Sequence, residues 1–199
     1  MKAGLLAIAL LLTMPAAARA EWQIRPFLGA TFGGGTTLVD LDEAVGSGNV
    51  GLGMSGVLIG EVLGLEADLG YGPGFFQNGD RHRVVSSSVA TLTGNVIVAV
   101  PRRVTQYTLR PYFVGGGGMM RARSEDVGNA LAYTVTLRAM DLGGGMTGFL
   151  TNRFGLSWDV RYFRSVGGKD VVGFSFGPEQ LSFWRAVMAL AIRLERKPQ

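Results

Sequence analysis

Hydrophobic and polar residues alternate strictly along residues 154–162. One set is bulky and apolar and the other is polar or charged: Leu156, Trp158, Val160 and Tyr162 against Ser157, Asp159 and Arg161. Successive side chains of a β-strand point to opposite faces, so this spacing predicts a strand that separates two different environments. The function of the chain then depends on which face meets water.

Seven other segments share this two-residue period. Glycine accounts for 31 of the 199 residues, and most glycines lie inside the alternating segments, where each would weaken a helix by about 1 kcal/mol relative to alanine. The pattern therefore favours strands over helices and predicts an all-β fold. The eight predicted strands cover residues 22–33, 48–59, 61–72, 86–100, 109–122, 135–150, 154–166 and 181–194.

The connections between the predicted strands alternate between long and short. The long ones are rich in Gly, Asp, Asn, Ser and Arg and cover residues 34–47, 73–85, 123–134 and 167–180. The connections at Gly60 and at 151–153 are tight, and the one near 101–108 is intermediate. Long loops outside and short turns on the periplasmic side, on an even number of strands, are typical of outer-membrane barrels. The sequence thus predicts an eight-stranded antiparallel up-and-down transmembrane β-barrel.

The first 20 residues have the pattern of a cleaved signal peptide. Lys2 gives a basic start, an apolar run follows over residues 3–14, and Ala18-Arg19-Ala20 matches the small-x-small cleavage pattern. The apolar run is shorter than the roughly 20 residues that a membrane-spanning helix needs, so a membrane anchor is the less favoured alternative. We predict a signal peptide at 1–20 and one exported barrel domain at 21–199.

Composition excludes several classes of function. Cysteine is absent, so the chain has no disulfide framework, no thiol catalysis and no Cys-ligated metal. With one histidine as well, we predict no metal site and no cofactor. Lys and Arg total 19 against 15 Asp and Glu, and two of the basic residues, Lys2 and Arg19, belong to the leader. The remaining excess is too small and too scattered to predict a nucleic-acid partner.

Two kinds of barrel are consistent with this alternation of apolar and polar residues. A soluble lipocalin-like barrel that binds an apolar ligand turns its apolar set inward, whereas a membrane barrel turns it toward lipid. A solvated exterior carries many lysines, but beyond the leader the chain has only Lys169 and Lys197, and neither lies in a predicted strand. This scarcity favours the membrane barrel, with outer-membrane lipid as the partner of the apolar face.

The polar face then belongs to the lumen. A barrel of eight strands is just wide enough for side chains to fill, so small residues make room there and carboxylates pair with guanidiniums. The predicted lumen charges are Glu66, Asp68, Arg138, Asp141, Asp159, Arg161, Arg185 and Arg193. The odd spacing of Arg138 and Asp141 requires a bulge to place both inward. A fixed, filling network is favoured over a switchable ion-pair gate, because eight strands leave little channel.

Aromatic residues of the apolar phase are predicted to face lipid, several of them near strand ends, where interfacial girdles form. These residues are Trp22, Tyr71, Tyr112, Trp158, Tyr162 and Trp184.

Two regions of the chain resemble a known family. The first is the Pro-Tyr-containing, glycine-rich segment at 109–118; the second combines the glycine-rich segment at 141–146, the polar turn and strand start at 151–156, and Asp-Val-Arg-Tyr at 159–162. Both resemble the eight-stranded outer-membrane barrels typified by the OmpA membrane domain and OmpX. The resemblance implies a monomer in a Gram-negative outer membrane, with a plugged or very narrow lumen. It also implies a role in envelope integrity, surface contacts through the long loops or limited permeation.

An enzymatic alternative rests on the single histidine. His82 lies near Asp80 and residues 86–88, which are all serine, and this grouping invites comparison with outer-membrane lipid acyl hydrolases that use Ser and His. A catalytic triad requires a nucleophile, a base and a group that orients the base, and no third member is placed by the sequence. An ordinary polar loop is therefore favoured, and we predict no catalytic residues. The preferred interpretation is a non-enzymatic outer-membrane protein.

Overall fold

The computed structural model describes residues 20–36, 49–74, 84–105, 109–126, 132–166 and 181–194. The signal peptide prediction falls on residues 1–20, of which 1–19 lie outside the described residues, so it stays a prediction. Asp80 and His82 also lie outside them. No helix in the described part of the chain is long and apolar enough to cross a membrane.

The described residues form eight strands, each close to a predicted one. Their bounds are β1 Glu21–Thr36, β2 Asn49–Ile59, β3 Leu63–Pro73, β4 Val84–Ala99, β5 Leu109–Asp126, β6 Ala132–Phe149, β7 Phe154–Ser165 and β8 Leu181–Arg193.

Each strand pairs antiparallel with the next, and β1 pairs with β8 to close the barrel. Closure leaves no edge strand, so the backbone N–H and C=O groups of every strand have partners on both sides. The predicted all-β, eight-stranded, antiparallel up-and-down barrel is confirmed. We call the end that carries residues 60–62, 100–105 and 150–153 the short-turn end, and the opposite end the long-connection end.

A bulge lies where β1 meets β8. The register between the two strands shifts between Phe32 and Gly34, and Gly33 between them has a φ of 49°. Residues that carry a Cβ rarely adopt a positive φ, so glycine suits this position and lets the strand bend as the barrel closes.

The apolar phase of each strand faces outward and the polar phase faces the lumen. On β3, Leu65 is 61% exposed, whereas Glu66 is 4% and Asp68 is 1% exposed. The same alternation of exposed and buried residues runs along β7, from the exposed Phe154 to the buried Phe163. The barrel is therefore apolar outside, and its charged strand residues lie mostly in the lumen, unlike those of an ordinary soluble protein.

The lumen is filled in layers along the barrel axis. Going along β4, the inward residues change from Val89 through the polar Thr91, Thr93 and Asn95 to Ile97. The layer near the long-connection end is an apolar cluster made of Val89, Met120, Ala122, Leu137, Ala139, Phe163, Leu181 and Phe183. The layer nearer the short-turn end is a second apolar cluster made of Val57, Ile59, Ile97, Ala99, Tyr112 and Val114. Charged and polar side chains fill the space between these layers.

Candidate functional site

Arg161 holds the centre of the polar layer. Its guanidinium donates to both carboxylate oxygens of Glu66, with Nη1 at 2.8 Å from Oε2 and Nη2 at 3.0 Å from Oε1. It also donates to both oxygens of Asp159, at 3.0 and 2.9 Å. The two bidentate pairs use four of the five N–H donors of the guanidinium. Arg161 is 1% exposed, so these bonds form away from water.

The pair of Arg161 and Glu66 crosses the lumen. Arg161 lies on β7 and Glu66 on β3, which are four strands apart in a closed ring of eight and therefore face each other across the barrel. An ion pair between opposite walls obstructs the bore more completely than one between neighbouring strands. The network therefore fills the lumen at this level.

A second guanidinium extends the network toward the long-connection end. Arg185 donates to Asp68 at 2.8 Å and to the Thr91 hydroxyl at 3.4 Å. Its guanidinium carbon lies 4.8 Å from the ring centre of Phe27 and 4.6 Å from that of Phe163, which is within cation–π range. Arg185 thus joins the charged layer to the apolar cluster above it.

The polar layer contains more carboxylates than guanidiniums. Glu66, Asp68, Asp141 and Asp159 surround Arg161 and Arg185, and all six side chains are buried. Asp141 lies 3.8 Å from Nη1 of Arg161, but neither of its oxygens has a hydrogen-bond partner among the described residues. The layer therefore depends on Arg161, which lies within 4 Å of all four carboxylates.

Tyr112 is on the opposite face from the predicted one. It was expected to face lipid, but it is 3% exposed and its hydroxyl donates to Asp159 at 2.9 Å inside the barrel. On β5 the inward phase runs through Arg110, Tyr112 and Val114, whereas Pro111 faces outward. A buried tyrosine hydroxyl needs a polar partner, and the lumen supplies one. Arg110 shares the inward face of β5 with Tyr112, and its charge is the sequence feature that indicates this orientation.

Arg138 also faces the other way from its prediction. It is exposed on the outer surface, between the buried Leu137 and Ala139. The register of β6 is continuous from Arg138 to Asp141 against β5 and from Ala139 to Asp141 against β7, so the bulge that the lumen placement required is not there. With regular alternation, residues three apart lie on opposite faces, and only Asp141 points inward.

Arg193 lies inside the barrel but belongs to a separate cluster at the short-turn end. Its Nε donates to Glu21 at 2.5 Å, and Glu21 also accepts from Arg102. Arg25 and Arg110 lie near the same opening, which leads into a cavity of about 410 Å³. Sequence reasoning missed Glu21, Arg25 and Arg110, although the polar phase of residues 21, 23 and 25 on the first strand is a visible signal.

The other five aromatic residues that were predicted to face lipid lie on the outer face. Trp22, Tyr71, Trp158 and Trp184 are exposed there. Tyr162 is half-buried because its ring packs against that of Trp184, with ring centres 5.1 Å apart.

Solved structures of known barrels share this architecture. Neisserial surface protein A is 13% identical, with a TM-score of 0.63 over 87% of this chain and 97% of its own. The outer-membrane protein OprG of Pseudomonas aeruginosa is 13% identical, with a TM-score of 0.60 over 90% of this chain and 98% of its own. The protein has the fold of the eight-stranded outer-membrane barrels. No protein-family model matches the sequence, and no curated protein matches it.

The predicted resemblance to the OmpA and OmpX barrels is therefore confirmed at the level of the fold. Within this outer-membrane barrel fold, the described residues contain no group of three or more His, Cys, Asp or Glu side chains arranged to hold a metal ion. The hydrolase alternative rests on Asp80, His82 and the serines at 86–88. Asp80 and His82 lie outside the described residues, so the alternative stays a prediction.

One wall glycine of the outer-membrane barrel fold makes room for the network. A Cβ at Gly145 would lie 2.5 Å from the Cβ of Asp159 and 2.8 Å from the hydroxyl of Tyr112. We expect Gly145→Val to lower the unfolding free energy by about 1–3 kcal/mol, because overpacking displaces both side chains. Urea unfolding in phosphatidylcholine vesicles, followed by tryptophan fluorescence, measures this loss.

Gly94→Val is the matched control for this substitution. A Cβ at Gly94 meets no atom within 4 Å, since this glycine is on the outer face of β4. We expect the control to change the unfolding free energy by less than about 0.5 kcal/mol, as surface substitutions usually do. Equal losses in the two variants would show that strand propensity, and not room in the lumen, decides the effect.

Proposed function

We propose that this protein is a non-enzymatic barrel of the outer membrane whose lumen is closed, with a structural or surface-contact role and at most minor permeation. The observation that carries the proposal is the bidentate ion pair of Arg161 and Glu66 across the bore, with apolar layers on both sides of it. Export by a signal peptide, a monomeric state and contacts made through the long connections are parts of the same proposal.

The dimensions of the apolar outer face support a position in a bilayer. Trp22 and Phe32 are exposed on the outer face of β1, ten positions apart. Ten residues of strand cover about 33 Å, which is about 25 Å along the axis of a barrel with strands tilted by roughly 40°. The apolar band of outer-membrane barrels is about 25 Å tall and has aromatic girdles at both interfaces. This spacing supports a role for Trp22 and Phe32 in the two girdles.

The same face argues against a soluble ligand-binding cup. Such a barrel would expose polar residues and keep an apolar cavity inside, whereas here Leu28, Val50 and Leu142 are each at least 65% exposed. The cavity of about 410 Å³ at the short-turn end has four arginines among its lining residues and is therefore not an apolar cup. Contact of this exposed apolar surface with lipid is favourable, whereas its contact with water is unfavourable.

The network is more suited to holding the lumen shut than to opening it. Removing one partner of a buried ion pair costs about 3–5 kcal/mol. If separating Arg161 from Glu66 costs about as much, the open form is populated less than about one part in a hundred, since 1.4 kcal/mol is a factor of ten. A surface protein with a filled barrel, and not a general porin, is the function that this arrangement supports.

Planar-bilayer recording on the refolded protein tests the proposal. A shift in gel mobility on heating first shows that the protein added to the bilayer is folded. We expect a silent bilayer or rare, small openings. Steady conductance of the size shown by an open porin, from protein that passes the gel test, would contradict the closed-lumen function.

A further inference from the structure

Among the outward-facing strand residues that the structure describes, charge is confined to one small region and has one sign. Of the outward-facing strand residues whose side chains the structure describes, none is Asp or Glu, and the charged ones are all arginine. These residues are Arg121 and Arg123 on β5, Arg138 on β6 and Arg164 on β7. We call these four residues the outer arginine cluster. Every other described outward position on the strands is uncharged.

The strand register places the four arginines next to one another. Arg138 is opposite Met119, so Arg121, two residues further along β5, is its diagonal neighbour. Arg164 is opposite Met140, two residues along β6 from Arg138, so these two arginines are diagonal neighbours as well. Diagonal pairs on one sheet face lie about 7–8 Å apart, within reach of long side chains. Three adjacent strands thus present one continuous basic surface.

The outer arginine cluster lies at the boundary of the apolar band. Phe154 and Arg164 are on the outer face of β7, ten positions apart, or about 25 Å along the barrel axis. Tyr162, two residues before Arg164, packs against Trp184 with ring centres 5.1 Å apart. Aromatic rings of this kind lie at the level of lipid headgroups. The arginines therefore come just beyond the aromatic girdle at the long-connection end.

Arg121, Arg138 and Arg164 differ from the charges inside the barrel because none of the three pairs with an acidic side chain among the described residues. Arg161 and Arg185 each bind carboxylates in the lumen. In the part of the chain that the structure describes, no carboxylate lies within ion-pair distance of Arg121, Arg138 or Arg164. Arginine binds phosphate through a bidentate fork, and the headgroup level is where a bilayer carries phosphate. Exposed Thr134 and Thr136 add hydroxyl donors to the same surface.

We propose that the outer arginine cluster binds the phosphate groups of anionic lipid headgroups in the leaflet at the long-connection end. The inference rests on the proposed function, because it requires the barrel to span a membrane. A lipid is the assigned ligand and not free phosphate, because the apolar Met119 and Met140 lie directly beside the arginines and give an acyl chain a surface to contact. The phosphate and an acyl chain of one lipid molecule can thus contact adjoining residues.

The test compares lipids that differ only in phosphate. Protein folded in neutral detergent micelles is titrated with diphosphorylated lipid A, with its fully dephosphorylated form and with inorganic phosphate, and bound lipid is counted by native mass spectrometry. We expect the affinity for the phosphorylated lipid to exceed that for the dephosphorylated lipid by about 25-fold or more. Each arginine near a lipid surface contributes about fivefold, so two of them account for this factor. Equal binding of the two lipids by folded wild-type protein overturns the inference without any variant.

A matched pair of variants locates the site. Arg138→Gln/Arg164→Gln removes two charges from the cluster, and Arg103→Gln/Arg153→Gln removes two from exposed positions at the short-turn end. We expect the first variant to bind phosphorylated lipid about 25-fold more weakly and the second to bind it within about twofold of wild type. Equal weakening in both would show a general charge effect and no site. Displacement of lipid by inorganic phosphate at matched ionic strength would reassign the cluster to a free oxyanion.

Failure of this inference is distinguishable from failure of the proposed function. Protein that shifts in gel mobility on heating and inserts into phosphatidylcholine vesicles, but binds both lipids equally, retains its membrane-spanning function and loses the headgroup site. Protein that stays outside vesicles of every composition contradicts the proposed function itself.

Discussion

We expect Arg161→Met to lower the unfolding free energy of the barrel by about 3–5 kcal/mol, the usual cost of removing one partner from a buried ion pair. Methionine keeps much of the length of arginine but none of its donors. Glu66 and Asp159 would each lose two hydrogen bonds, and Asp68 and Asp141 would lose a guanidinium within 4 Å. Urea unfolding in phosphatidylcholine vesicles, followed by gel mobility and fluorescence, measures the loss.

Arg164→Met is the control for this experiment, because it makes the same chemical change on the outer face of the same strand. In vesicles of zwitterionic lipid we expect it to change the unfolding free energy by less than about 1 kcal/mol. Adding Glu66→Gln to Arg161→Met should recover part of the loss, since it removes one of the carboxylates left without a partner. A loss below about 1 kcal/mol in Arg161→Met would show that the network does not hold the barrel together.

The second substitution that we expect to destabilise the barrel strongly lies on the outer face. Val160 lies on the outer side of β7, between the exposed Phe154 and Arg164, and is thus placed near the middle of the apolar band. We expect Val160→Arg to lower the unfolding free energy in phosphatidylcholine vesicles by about 2–4 kcal/mol, the cost of an arginine at the bilayer midplane of such a barrel. Urea titration of vesicles that contain the folded variant measures it.

Thr136→Arg is the matched control, since this residue is exposed on the outer face of β6 at the level of the outer arginine cluster. An arginine near the interface costs only about 0–1 kcal/mol. The depth dependence is the informative result, because a barrel surrounded by water would tolerate an exposed arginine at either position. Equal, small effects of the two substitutions would therefore contradict the assignment of this face to lipid.

Much of the fold is predictable because the period of two is imposed by the strand itself. The seventh predicted strand, 154–166, differs from the observed Phe154–Ser165 by one residue. Errors are larger at the long-connection end, where β5 continues to Asp126 instead of stopping at residue 122. Residues 123–126 are all polar in the sequence, so the apolar–polar alternation that reveals a strand is lost there while backbone pairing continues.

The site is predictable in composition but not in its pairing. Asp68, Asp159 and Arg185 lie in phase with glycine or small residues on their strands, which indicates the lumen side. Arg161 reaches Glu66 because β7 and β3 bring the two residues to the same level along the barrel axis. This level follows from the stagger of all the strands between them. No local pattern contains that information, and for the same reason the outer arginine cluster becomes visible only when three strands are aligned.

The assignment of the apolar face to lipid is tested most directly by the depth of Trp158 in a bilayer, measured by quenching with brominated lipids. Two single-tryptophan proteins suffice: Trp22→Phe/Trp184→Phe keeps Trp158, and Trp22→Phe/Trp158→Phe keeps Trp184. We expect Trp158 to be quenched most by bromines deep in the acyl chains and Trp184 most by bromines near the headgroup, because we assign Trp184 to the proposed aromatic girdle. Quenching of both by aqueous acrylamide, with no effect of brominated lipid at any depth, would contradict the assignment of the apolar face to lipid.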